Sequence, residues 1–215
     1  MRKAKLILSV VMVLAMTVLM FPQTAFAAKK STDLSSQIQV IAEYNYQISQ
    51  YFNTRNYIVL VQNNSQSAVR IEASGYGLDA TGTIVEVDED IIRSLAPGKQ
   101  AVLDFWLDND ENNEVAFTSQ IKATKLAYEK DYSDSIAYTM NPTSNSAIVT
   151  LTNTGAKSAD VTAQAIFMNG ADIAYYNYDI EFDMESGATT VMQIESRDRK
   201  FDNCFIFVQS SYFSY

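Results

Sequence analysis

The chain has 215 residues, 47% of them apolar and 12% aromatic, with a single cysteine, no histidine and a formal net charge of −9. Such a composition supports a packed core, but it removes the commonest general base and metal ligand near neutral pH. It also carries no basic stripe, and an acidic balance of this kind excludes nucleic acid as a partner class.

Residues 1–27 have the three parts of a secretory signal. Arg2, Lys3 and Lys5 form the basic start, Leu6 through Phe21 the apolar run, and Ala25-Phe26-Ala27 a small-residue cleavage site after Pro22. The run is short for a comfortable membrane span of ~20 residues, so cleavage after Ala27 is expected, with an uncleaved anchor as the alternative. Without this segment the 16 basic residues fall to 13 against 25 acidic ones, a formal charge of −12. No second membrane span follows, and no lipid-carrying cysteine stands in the signal region. A secreted or cell-envelope location is therefore expected, with residues 28–36 as a disordered N-terminal segment.

From Gln37 the chain reads as strands. Ile38, Val40, Ala42, Tyr44, Tyr46 and Ile48 keep a two-residue period, the mark of a strand with one buried face. A turn at Asn53–Asn56 leads into a strand over Tyr57–Gln62, and Asn63-Asn64-Ser65 turns the chain into Ala68–Leu78. Gly82 precedes Thr83–Arg93, and Pro97-Gly98 precedes Lys99–Leu107. After a polar loop, Asp108 to Asn113, one more strand is expected over Glu114–Tyr128. The polar run over residues 129–133 reads as a linker. Strands at Asp134–Met140 and Ser146–Thr152 then restart the series.

The restart is a repeat. Asn153 takes the place of Asn63, Gly170 that of Gly82 and Gly187 that of Gly98, at offsets of 90, 88 and 89 residues. Short strands with regular turn signals predict an all-β protein of two tandem antiparallel immunoglobulin-like β-sandwich domains, residues 37–128 and 134–215, after the signal peptide. The order "VQNNS", "YGLDATG", "LAPG" followed by Phe105 resembles the small secreted bacterial domains called FxLYD-type. The Tyr-Asp signature of that family is degenerate here, as Tyr76-Gly77-Leu78-Asp79 and again as Ile166-Phe167-Met168-Asn169, and Met184-Glu185-Ser186-Gly187 lacks the expected proline. The resemblance implies an immunoglobulin-like sandwich in an extracellular setting and carries over no catalytic residue.

Few residues offer chemistry. Phosphate loops, dinucleotide fingerprints and serine elbows are missing from the sequence, and no cofactor is expected. Cys204, in "NCFIFV", reads as a small buried hydrophobe. Asp108, Asp110, Asn112 and Glu114 alternate as in a calcium loop, yet Asn113 and Ser119 stand where that loop needs Gly and Glu, so no metal site is assigned. Asp88, Asp90 and Asp104 are the carboxylates that an acid–base pair could use. Trp106 shares a strand phase with Val102 and Asp104, opposite to Leu103 and Phe105, and is expected on a partly wet face beside Asp104. Among the 13 tyrosines, Tyr175, Tyr176 and Tyr178 cluster, with Tyr176 and Tyr178 on one face and Tyr175 on the other. Trp106, Asp104, Tyr175, Tyr176 and Tyr178 are thus the candidate ligand contacts. They suit a non-catalytic binding module for an extracellular protein or glycan, with a carboxylate-based hydrolase as the alternative.

Overall fold

The structure, a computed structural model, describes residues 33–48, 54–108 and 114–213. Residues 1–32, which hold the segment expected as a signal peptide, and most of the loop from Asp108 to Asn113 lie outside them. The fold is an all-β sandwich of antiparallel sheets. In chain order the strands are β1 (Ile38–Gln47), β2 (Thr54–Asn63), β3 (Val69–Leu78), β4 (Ile84–Leu95), β5 (Gln100–Asp108), β6 (Ala116–Lys125) and β7 (Glu129–Asp131). They continue as β8 (Ile136–Pro142), β9 (Ser146–Asn153), β10 (Ala159–Asn169), β11 (Asp172–Met184), β12 (Thr189–Glu195) and β13 (Asn203–Phe213). Four sheets result, ordered β1-β2-β5, β4-β3-β6, β12-β9-β8 and β11-β10-β13-β7.

The repeat read from the sequence is a repeat of wiring. Strands β8-β9-β12 reproduce β1-β2-β5, and β11-β10-β13 reproduce β4-β3-β6. Each copy is tied by one buried asparagine. Asn63 donates from Nδ2 to the carbonyls of Ser67 and Leu95, at 2.9 and 2.8 Å, while its Oδ1 accepts from the Ser65 amide at 2.9 Å. Asn153 does the same with Lys157, Met184 and Gly155, at 2.8, 2.9 and 3.0 Å. The amides of Gly98 and Gly187 close the arrangement on the backbone carbonyls of Asn63 and Asn153, and both glycines stand at positive φ, 74° and 79°, where a side chain would be strained.

Two stretches differ from the expectation. Asp33 to Ser36, expected as disordered, bridges Thr124 through Asp33 and enters a short 3-10 turn at Ser35–Gln37. Residues 129–133, expected as a linker, begin with β7, which pairs with Ser211–Phe213 of β13, and end in a matching 3-10 turn. The physical reason is one motif used twice. Ser35 and Ser133 each hydrogen-bond the aspartate two residues before them, at 2.6 and 2.9 Å. Their hydroxyls also accept backbone amides from the last strand of the same half, Ala123 and Ser210. Polar residues that read as a linker are here fixed by side-chain-to-backbone bonds, which a hydrophobic pattern does not register.

One apolar cluster lies between β1-β2-β5 and β4-β3-β6, built from Val59, Val61, Ile71, Leu103, Phe105 and Leu107. The other lies between β12-β9-β8 and β11-β10-β13 and extends to Tyr46, Ile58 and Val102 of the first half. The four sheets therefore stack in succession, and β2 and β10 are covered on both faces. That is why Asn56–Val59 and Ala163–Met168 are buried without alternation, as continuous runs are when both faces are packed. The outer layers are more polar. Where the first half presents Tyr44, Leu60 and Val102 inward, β8-β9-β12 presents Asn141, Thr150 and Val191 outward; where the second presents Gln164 and Phe207, β3 and β6 carry Ser74 and Gln120.

Replacing Asn63 by Asp removes two donors from buried carbonyls while keeping the side-chain shape. The expected loss is about 3 kcal/mol by urea unfolding, and the same at Asn153. A loss below about 1 kcal/mol at either position would show that the asparagine is not the tie described.

Candidate functional site

Strand β5 is the edge of its sheet, paired with β2 alone. Its residues Val102, Asp104 and Trp106 direct their amides away from β2, and a buried amide without an acceptor is costly. Side chains take the role of the missing strand. The Val102 amide donates to Oε1 of Gln164 at 2.9 Å, and Nε2 of Gln164 returns a bond to the Val102 carbonyl at 2.7 Å. The Asp104 amide donates to Oδ2 of Asp90 at 2.9 Å, and the Trp106 amide to Oδ2 of Asp88 at 2.6 Å. Gln164, buried between the halves, also donates to the Tyr176 hydroxyl and accepts from Nε2 of Gln209. The Tyr46 hydroxyl accepts the Tyr176 amide at 3.1 Å on the same contact.

Beside this seam lies a cleft of about 270 Å³ between the halves. Its lining includes Asp90, Asp104, Gln164, Tyr176, Tyr178 and Phe182. Tyr176 is buried, whereas Tyr178 and Phe182 are 51% and 63% exposed and form its outer part. Across the opening Arg93 reaches Asp160 at 3.8 Å, which engages the one arginine of the lining. Asp104 accepts a bond of 2.7 Å from Nδ2 of Asn56, whose own Oδ1 is buried without a donor.

Burial, then the charges of Asp90 and Asp88, push the Asp104 carboxyl up to about 7. Asp90 is also raised, by burial first, although the amides of Asp104 and Ile91 that it accepts pull the other way. Burial likewise raises the hydroxyls of Tyr46 and Tyr176 beside this region, and that of Tyr175 on the opposite face of β11. Cys204 is buried, and desolvation lifts its thiol to about 11, far from a nucleophile's range.

Of the candidates from sequence, Asp104, Tyr176 and Tyr178 meet in the cleft, and Asp90 joins them. Trp106 is on the same outward phase of β5 as Asp104 and is 55% exposed, while Leu103 and Phe105 are fully buried on the other. Tyr175 points the other way, edge-on to Tyr46 at 5.9 Å and under the Arg197 guanidinium, outside the cleft lining. Asp88 caps the Trp106 amide and does not line the cleft. Gln164, Asn56 and Tyr46 were missed. Gln164 did carry a signal, as the polar residue inside the apolar run "VTAQAIFM", but its partner Val102 is 62 residues away. Among the described residues no group of three or more acidic, histidine or cysteine side chains is placed to hold a metal ion, and no helix is long and apolar enough to cross a membrane.

No family model matches the chain, and no curated protein matches it. Among solved structures it is similar to a β-D-glucuronidase of Dictyoglomus thermophilum, at 12% identity over 83% of this chain and 43% of that one, with a TM-score of 0.17. The chain thus spans less than half the length of that enzyme, and so loose a likeness bears on neither fold nor activity.

Two outcomes are expected. Asp104 has its folded pKa above that of an unfolded aspartate, about 3.9, so the folded state holds the proton longer and this group's contribution falls as pH rises from about 4 to 7, then levels. Asp104→Asn should therefore gain stability over the native protein across that window, reaching about 1–4 kcal/mol at pH 8 in urea titrations; a gain that did not grow with pH would contradict the raised carboxyl. Trp106 should emit to the red and be quenched readily by acrylamide in a protein of residues 28–215. Protected, blue-shifted emission would place the ring in a core.

Proposed function

We propose that the mature chain is a non-catalytic secreted or cell-envelope binding module, built as tandem immunoglobulin-like sandwiches, whose ligand is held in the cleft between its halves. The cleft itself carries the reading. It is concave, it combines half-exposed aromatic rings with a few converging polar groups, and it is framed by rigid strands. The signal-like N-terminus and the resemblance to FxLYD-type domains agree with an extracellular ligand, a protein or a glycan, and tyrosine faces serve either. No cofactor enters this reading.

One observation favours the hydrolase alternative: Asp90 and Asp104 are adjacent in a concave site, with one carboxyl held protonated near neutral pH, as acid–base pairs require. The hydrogen bonds weigh against it. Both oxygens of Asp90 accept backbone amides, from Ile91 at 2.7 Å and Asp104 at 2.9 Å, and Asp88 is committed to Trp106. These carboxylates stand in for a neighbouring strand, and a proton shuttle would break that bonding.

Labelled mature protein, applied to arrays of extracellular glycans and of peptides, should give a set of binders that the double variant Tyr178→Ala, Phe182→Ser loses by tenfold or more. Unchanged binding by that variant would place the ligand elsewhere. Cleavage of any arrayed glycan, abolished by Asp104→Asn, would replace the binding reading with the hydrolytic one.

A further inference from the structure

Resting on the cleft as the binding site, we infer that it recognises an organic cation, the ammonium end of a lysine side chain on a partner polypeptide. Three independent features of the site point there. The first is a surplus of acceptors. Asp90 and Asp104 bring two carboxylates to the cleft, Asp90 with each oxygen already holding one amide; Asn56 Oδ1 is buried without a donor, and Arg93, the cation of the lining, is engaged by Asp160. Asp104 receives one hydrogen bond, at Oδ1 from Asn56, so its other oxygen is left to a ligand. A neutral ligand could donate to these acceptors but would leave their charge uncompensated, and an anion would add to it, whereas an ammonium brings three donors and the compensating charge.

The second feature is the order of the lining. Asp90 and Asp104 are partly buried, whereas the apolar groups Ile91 and Phe182, with the Tyr178 ring, are exposed and lie further out. That sequence of surfaces matches a lysine side chain entering ammonium first, its four-carbon stem along apolar walls and its charge against acid. The third is the ring of Tyr178. Half exposed and next in register to Gln164, it offers a π face to a cation in the cleft mouth. The overall charge of the mature chain adds long-range attraction for a basic partner.

The groups that face Asp104 are Asp90 and Asp88 from β4, Tyr46 from β1 and Tyr176 from β11, with Tyr175 more distant. None is a cation. An arriving ammonium therefore favours the ionised Asp104, and binding releases the proton that the free protein holds. Affinity should rise as pH passes from 6 to 8, while lysine, with a pKa near 10.4, stays charged throughout.

The test uses mature protein labelled with ¹⁵N and three small probes: N-acetyl-lysine methylamide, its ε-acetylated neutral analogue, and glucosamine. The lysine probe should shift the amides of Asp104, Trp106 and Tyr178 saturably, about tenfold more tightly than the neutral analogue, and more tightly at pH 8 than at pH 6. Asp104→Asn, which is expected to fold, should remove both the preference and the pH dependence. Equal binding of the neutral analogue would overturn the cation inference while leaving a binding cleft. Tighter binding of glucosamine than of the lysine probe would assign the site to an amino sugar and overturn the polypeptide partner. If no probe moves the cleft amides although the arrays yield Tyr178-dependent binders, the cation inference fails alone; if the arrays are also silent, the binding reading fails with it.

Discussion

A strand at the edge of a sheet that is itself buried has a row of amides with no neighbour to receive them. In this protein that strand is β5, and the organisation around it follows from satisfying Val102, Asp104 and Trp106. Gln164 meets the first from the second half, and Asp90 and Asp88 meet the others from the opposite sheet of the first. The solution joins the halves through a side chain that imitates a strand's paired bonds. It also draws carboxylates toward one another at a place where water is scarce, which is why Asp104 ionises late. A structural requirement of the backbone has thereby set the electrostatics of the cleft.

Comparison of the halves separates what the fold needs from what the pairing needs. Asn63 and Asn153 bond in the same pattern, and so do the Asp33–Ser35 and Asp131–Ser133 pairs that guide each half from its last strand into its first. Those positions are shared because each closes local backbone groups that nothing else can reach. Position 74 and position 164, equivalent in the repeat, are a serine facing outward and a glutamine holding the seam. The copies agree where a turn must form and part where one copy meets the other.

Much of this was legible in the residues. Alternation and turn chemistry place the strands, and the glycines and asparagines reveal the repeat, because both are local signals. The outward phase of Trp106 follows from the period of two and from comparing each β5 residue with its counterpart in β12. Other features were not legible, for reasons of range. Residues 129–133 look like a solvated linker because their bonding runs to Ser210–Phe213, some eighty residues on. The cleft joins β4 to β11 across similar distances, and no periodicity reports which outward faces will meet. The apolar run Tyr57–Val61 lacks the alternation of a half-buried strand, but nothing in it names what covers the second face.

The outer layers of the stack have one further consequence. An interface in which one face of a unit meets a different face of the next is heterologous, and repeated without closure it generates a filament. Here the two faces that would continue the series carry Ser74 and Gln120 on one side and Asn141 and Thr150 on the other, with no counterpart of the Gln164 bridge. A repeat of the same contact between chains would thus lack the paired bonds that seal the two halves within this one.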